Sequence, residues 1–146
     1  MLAALLCFVV AIADGDTLTA RCGEPGAYEQ VKVRLAEIDA PEKRQPFGQV
    51  SRQHLAALCF QKQAEIRPAT KDRYGRTVAR VRCAGQDANA EQVRAGLAWA
   101  YTRYLTDPAI ARIEQGARAA RRGLWADAEP MAPWEWRHAR KAGTGG

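Results

Sequence analysis

Apolar and polar positions alternate with a strand's period through much of the first half of the chain, then recur at three- and four-residue steps in later stretches. Residues 1–13 are continuously apolar and end at Asp14-Gly15, a dipeptide suited to a tight hairpin. Residues 17–22 alternate and read as a second strand. Gly23-Glu24-Pro25-Gly26 follows as a loop, and a third strand is expected over residues 28–38, where Val33, Leu35 and Ile38 mark one buried side. Pro41 cannot continue the pairing, so the chain must turn there. The first three strands thus predict a meander.

Beyond Pro46 the pattern predicts a helix from about Phe47 to Cys59, with Phe47, Val50, His54, Leu55 and Leu58 at mostly helical spacing and His54 at the edge of that face, partly buried. Two more strands are expected over residues 64–68 and 76–83, joined by a polar loop. A second helix follows over residues 87–95, with Asn89 as cap, Gln92 three residues later and Gly96 closing it. Asp107-Pro108 starts a third helix whose inner face carries Ile110, Ile113, Ala117, Ala120 and Leu124. Five strands fit a small barrel, so the expected class is α+β with three helices. Past Trp125 the chain turns rich in Pro, Ala and Gly. Pro133-Trp134-Glu135-Trp136 is placed to dock back on the body, and residues from about His138 are expected to be disordered.

Composition narrows this picture. A chain of 146 residues, 47% of them hydrophobic, builds one domain with a real core. The net charge is +6, and the tail after Ala126 holds three basic and three acidic residues, so the excess lies in the body. A basic body favours a polyanion, although solubility alone also accounts for it. Two histidines and no Cys-x-x-Cys argue against a zinc or redox centre. The four cysteines allow three pairings, or four buried free thiols. Because the turn at Asp14-Gly15 places Cys7 and Cys22 at about equal distances along two strands, the expected bonds are Cys7 with Cys22 and Cys59 with Cys83. Such bonds imply an oxidising compartment.

Three charged clusters interrupt the apolar pattern. Asp14-Gly15-Asp16-Thr17 sits at the first turn. Arg34, Asp39 and Glu42 surround the turn at Pro41, and Asp72-Arg73-Tyr74-Gly75-Arg76 precedes the fifth strand. Alone, each has an ordinary explanation as a turn or a solvated strand end. Together they offer Asp16 and Asp39 as hard oxygen ligands for Ca²⁺, Arg34 and Arg76 as planar forks for a phosphodiester, and Glu42 as a base.

These three motifs in this order, with residues 89–98 and Arg122-Gly123-Leu124-Trp125 after them, resemble the staphylococcal nuclease (thermonuclease) family of the secreted or periplasmic bacterial type. The resemblance covers about residues 8–126. It implies an OB-type barrel with helices that hydrolyses DNA and RNA with Ca²⁺. On this reading residues 1–7 are a remnant of an export signal, residues 8–126 are the nuclease domain and residues 127–146 are a tail. Asp16, Asp39 and the Ala40 carbonyl would hold Ca²⁺, with Asp14 behind them; the family usually has Thr where this chain has Ala40. Arg34, Arg76 and Glu42 would be catalytic. Lys71, Arg73, Tyr74 and Tyr104 would bind single-stranded or denatured DNA and RNA, without a membrane span or stable protein partner, in a periplasmic or secreted monomer. The alternative is an OB-fold nucleic-acid-binding module that lacks catalysis, for which two Asp, two Arg and one Glu together would be unnecessary.

Overall fold

The computed structural model describes residues 3–144. Strands β1 (Leu5–Asp14), β2 (Thr17–Cys22) and β3 (Glu29–Leu35) form the expected antiparallel meander. After the two-residue strand β4 (Ile38–Asp39) and helix α1 (Gly48–Cys59), β5 (Gln63–Lys71) pairs with the other edge of β1, and β6 (Thr77–Cys83) pairs with β5. The parallel pairing of β3 with β6 closes five long strands into a barrel, as the OB-type expectation requires. Closure leaves no long free edge and gathers Val9, Leu18, Val33, Leu35, Ile66 and Val81 into one core.

Both expected disulfides are formed. Cys7 and Cys22 face each other in the β1–β2 register, and Cys59 at the end of α1 is bonded to Cys83 at the end of β6. Among the described residues no cysteine is free. No described helix is long and apolar enough to cross a membrane.

The remaining elements are β7 (Gln86–Asp87), α2 (Ala88–Arg94), β8 (Trp99–Ala100), α3 (Pro108–Ala119) and α4 (Pro133–Thr144). Four α-helices stand where three were expected, because the tail continues as α4 through the region assigned to disorder. Trp134 docks as expected, packing edge-on against Trp99 at 5.5 Å and stacking on Tyr101 at 5.4 Å, and this anchor holds the start of a helix that runs on past His138. Strand β1 also starts earlier than residue 8, because Leu5 and Leu6 gain partners in Ile66 and Glu65 of β5. In α1 the buried stripe runs through Ser51, Leu55, Leu58 and Cys59, and Val50 is exposed.

The cap of α2 is Asp87, whose carboxylate accepts from Ala90 N. Asn89 lies inside the helix, fully buried, where it accepts from Val81 N and donates to Ala36 O and Ala79 O. Its amide saturates backbone groups at the barrel seam, a duty that outweighs capping. Asp107 caps α3 as expected, accepting from Ala109 N. Arg80 of β6 joins both caps, reaching Asp87 at 2.6 Å, Asp107 at 2.9 Å and Glu37 at 3.3 Å.

Candidate active site

The β1–β2 turn is clamped from behind. A side-chain carbon on Gly15 would fall 1.8 Å from Ser51 Oγ and 2.9 Å from Ala40 Cβ, so only glycine lets this turn approach α1 and the Pro41 turn together. Gln92 of α2, fully buried, donates to Gly15 O at 2.7 Å and Ser51 O at 3.0 Å, while its own oxygen meets His54 Nδ1. His54 therefore serves the support of this turn, consistent with its expected place as a partly buried helix residue. Asp14 completes the turn by accepting from Asp16 N at 3.1 Å.

The second cluster is brought round by Glu37, which adopts φ 71° between β3 and β4. That reversal carries Asp39 back over Arg34. One terminal nitrogen of Arg34 donates to Leu35 O and Ile38 O at 2.8 and 2.9 Å. The other lies 3.1 Å from Asp39 Oδ1 and 3.4 Å from Asp16 Oδ2. Asp16 and Asp39 thus face each other across a single nitrogen. Asp16 Oδ2 also accepts from Ala40 N at 2.7 Å, which fixes the Ala40 backbone against the first turn.

Three carboxyl groups crowded into a buried space cannot all ionise at ordinary cost. Burial, with the charge of Asp16 beside it, pushes Asp14 up to about 7. Burial likewise raises Asp39 to about 6, against the hydrogen bonds from Arg137. Burial acts on Asp16 in the same direction, but Arg34 and the hydrogen bonds from Ala40 and Thr17 hold it below its ordinary value. Opposed, buried, all-oxygen donors whose mutual repulsion is only partly offset by arginine fit a hard divalent cation such as Ca²⁺. Asp16 and Asp39 are the carboxylates that could hold one, although among the described residues no third Asp, Glu, His or Cys joins them in a metal-binding group.

Glu42, half-buried, is joined to this pair through Arg137. Its carboxylate is held at 2.6 Å by Arg137 of α4, whose two terminal nitrogens also reach Asp39 at 2.7 and 3.2 Å. Gln45 fixes the same loop by accepting from Glu42 N at 3.0 Å and donating to Met131 O at 2.8 Å. Gly48 closes it, since a Cβ there would stand 2.1 Å from Glu42 O.

Arg76 is on the neighbouring strand end, where Asp72 receives its Nε at 2.7 Å and accepts its backbone N–H at 3.0 Å. Arg34 is paired with Val78 across the closing seam, so the two-residue alternation puts Arg76 on the same face as Arg34. Lys71, Arg73 and Tyr74 are exposed around this hairpin, with Tyr74 under the guanidinium groups of Arg73 and Arg76 at 5.0 and 5.5 Å. Tyr104 is exposed and packs edge-on against Tyr101. The structure therefore joins Asp14, Asp16, Arg34, Asp39, Ala40 and Glu42 in one cluster. Arg76 remains engaged with Asp72 beside it.

The family model described as "Staphylococcal nuclease homologue" matches residues 32–127, from the middle strands of the barrel to the turn after α3. An "Uncharacterized endonuclease" of Haemophilus influenzae is 48% identical over 92% of this chain and 74% of its own length. A "Micrococcal nuclease" of Shigella flexneri is 41% identical over 93% of this chain and 82% of its own. The chain belongs to the staphylococcal nuclease family.

Within this family member, sequence reasoning missed Gln92, Tyr101 and Arg137 as parts of the site. Gln92 reads as half of a capping box, and Tyr101 as one aromatic among several. Arg137 stands between the segment 133–136 expected to dock and the residues from His138 assigned to disorder, with no signal of its own. Only the aromatic pair around it, Trp134 and Trp136, signals that the segment docks.

Proposed function

We propose that this staphylococcal nuclease homologue hydrolyses phosphodiester bonds of DNA and RNA, with Ca²⁺ and with water as the attacking group. The observation that carries this reading is the pair Asp16 and Asp39, buried and opposed across Arg34, with Glu42 joined to Asp39 through Arg137. Ca²⁺ held by Asp16, Asp39 and the Ala40 carbonyl would supply positive charge against a phosphate oxygen. Asp14 supports that shell through its bond to Asp16 N. Arg34 and Arg76 supply guanidinium donors for the phosphate and for the negative charge that grows on it as water attacks in line. Glu42 orients the water and takes its proton, so nothing becomes covalently attached to the enzyme.

Lys71, Arg73, Tyr74 and Tyr104 suit a flexible sugar-phosphate chain: the cations contact phosphates, and an exposed ring offers a face for a base. Single-stranded or denatured substrate fits such a surface best. The two disulfides accord with a periplasmic or secreted monomer. Digestion of heat-denatured DNA and of RNA, with Ca²⁺ or with excess chelator, tests the reading. Cleavage with Ca²⁺ alone is expected, whereas tight binding without cleavage in both conditions would support the non-catalytic OB-fold module.

A further inference from the structure

Helix α4 lies beyond residues 32–127, the span that the family model matches, yet it sends a cation into the centre of the site. Arg137 makes three hydrogen bonds to two carboxylates there, two to Asp39 and one to Glu42, and a weaker one to Tyr101 Oη at 3.4 Å. Asp39 is fully buried, and Arg137 holds the Glu42 carboxylate at 2.6 Å. The helix is not loosely placed. Ala132 before it is buried, Trp134 stacks on Tyr101, and Gln45 ties Met131 to the backbone of Glu42. Two independent sets of contacts, one through Arg137 and one through Gln45, thus fasten the same loop to the start of α4.

We propose that Arg137 is a third active-site arginine, a positioning residue that braces the base Glu42 against the cation-holding Asp39. The proposal rests on the nuclease reading above. A planar fork suits this duty, because one guanidinium can satisfy two carboxylates at a fixed separation while a single ammonium cannot. Glu42 is a half-buried side chain on a loop, where holding one rotamer costs conformational entropy. Held by Arg137, it keeps one direction relative to Asp39, and misplacement by about 1 Å is enough to cost roughly 100-fold in rate.

The brace has a second consequence of opposite sign. Arg137 bonds both oxygens of Asp39, so its guanidinium competes for the lone pairs a divalent ion would use and repels that ion. Arg137 therefore weakens Ca²⁺ binding while it raises the rate of the loaded enzyme. A residue that merely stabilised α4 would do neither.

The test uses the full chain with Arg137→Met, which keeps the aliphatic stem in its packing, and Arg137→Lys, which keeps the charge. Ca²⁺ alone is titrated by calorimetry, and cleavage of denatured DNA is followed at saturating Ca²⁺. Arg137→Met is expected to bind Ca²⁺ about ten-fold more tightly, as removal of a competing positive charge requires, and to lose at least about ten-fold in kcat with little change in KM. Arg137→Lys is expected to keep near wild-type Ca²⁺ affinity but still to lose kcat. Unchanged kcat, or a rise in kcat as expected for an inhibitory latch, would overturn the brace, as would weaker Ca²⁺ binding in Arg137→Met. A wild-type protein that binds Ca²⁺ but cleaves nothing overturns the nuclease reading. In that case a Ca²⁺ affinity unmoved by Arg137→Met overturns the brace as well.

Discussion

The two candidate phosphate-binding arginines carry different structural loads, and substitution should separate them. Arg34 is nearly buried among Leu35 O, Ile38 O, Asp39 and Asp16, whereas Arg76 meets Asp72 in a partly exposed hairpin. Lysine at either position keeps charge but loses the fork, so both Arg34→Lys and Arg76→Lys should lose on the order of 10²–10³ in kcat. Only Arg34→Lys should also lower Tm, because it leaves two carbonyls and a buried carboxylate short of donors. Equal Tm values for the two variants would contradict that division. The carboxylates make a separate prediction about pH. Asp14 at about 7 and Asp39 at about 6 bind protons more tightly in the folded protein than in the unfolded chain. Their contribution to stability is complete below the ordinary carboxylate value and is lost as pH rises through about 6 and then about 7. In chelator, the urea midpoint should therefore fall between about pH 4 and pH 7, and saturating Ca²⁺ should remove the fall. A midpoint that rises over this range in chelator would count against the repulsive carboxylate cluster.

At the scale of elements, the site depends on how closely three turns meet. Gly15→Ala places a methyl group against Ser51 and Ala40, so the β1–β2 turn must move away from the Pro41 turn and carry Asp16 with it. The expected result is weaker Ca²⁺ binding and a loss of roughly 1–3 kcal/mol in urea unfolding, the range for forcing extra volume into packed structure. Wild-type Ca²⁺ affinity in that variant would separate the turn from the metal ligands. The barrel strands and α3 were legible in the sequence because their inner faces follow periods set by local geometry, and Asp14-Gly15 and Asp107-Pro108 are local signals of a turn and a cap. The role of Asn89 and the helical continuation of α4 past His138 were not legible. An asparagine near a helix start serves equally as a cap or as a donor to a distant strand, and the distant strand decides. A short helix with a charged outer face earns its order from Trp134 on Tyr101 and Arg137 on Asp39, partners that lie far away in sequence. The same reason hid Gln92, whose target, Gly15 O, is brought near only when the barrel closes.

At the scale of the whole molecule, a body carrying the full excess of the +6 charge is closed by one parallel seam and tied by two disulfides, each worth about 2–4 kcal/mol. The hairpin that leads to Arg76 exposes Lys71, Arg73 and Tyr74, so substrate binding should weaken steeply with salt as phosphate contacts release counterions. Arg73→Ala should reduce the slope of log affinity against log salt by about one contact's share, and an unchanged slope would make the hairpin merely solvated. The central claim is narrower: Asp16 and Asp39 hold the ion on which phosphodiester hydrolysis depends. It is tested most directly by the initial rate of cleavage of denatured DNA as a function of free Ca²⁺, for the wild type beside Asp39→Ala. The account predicts no cleavage in chelator, a saturable rise with Ca²⁺ in the wild type and a curve displaced to higher Ca²⁺ in Asp39→Ala. Full activity in chelator, or superimposable curves for the two proteins, would contradict it.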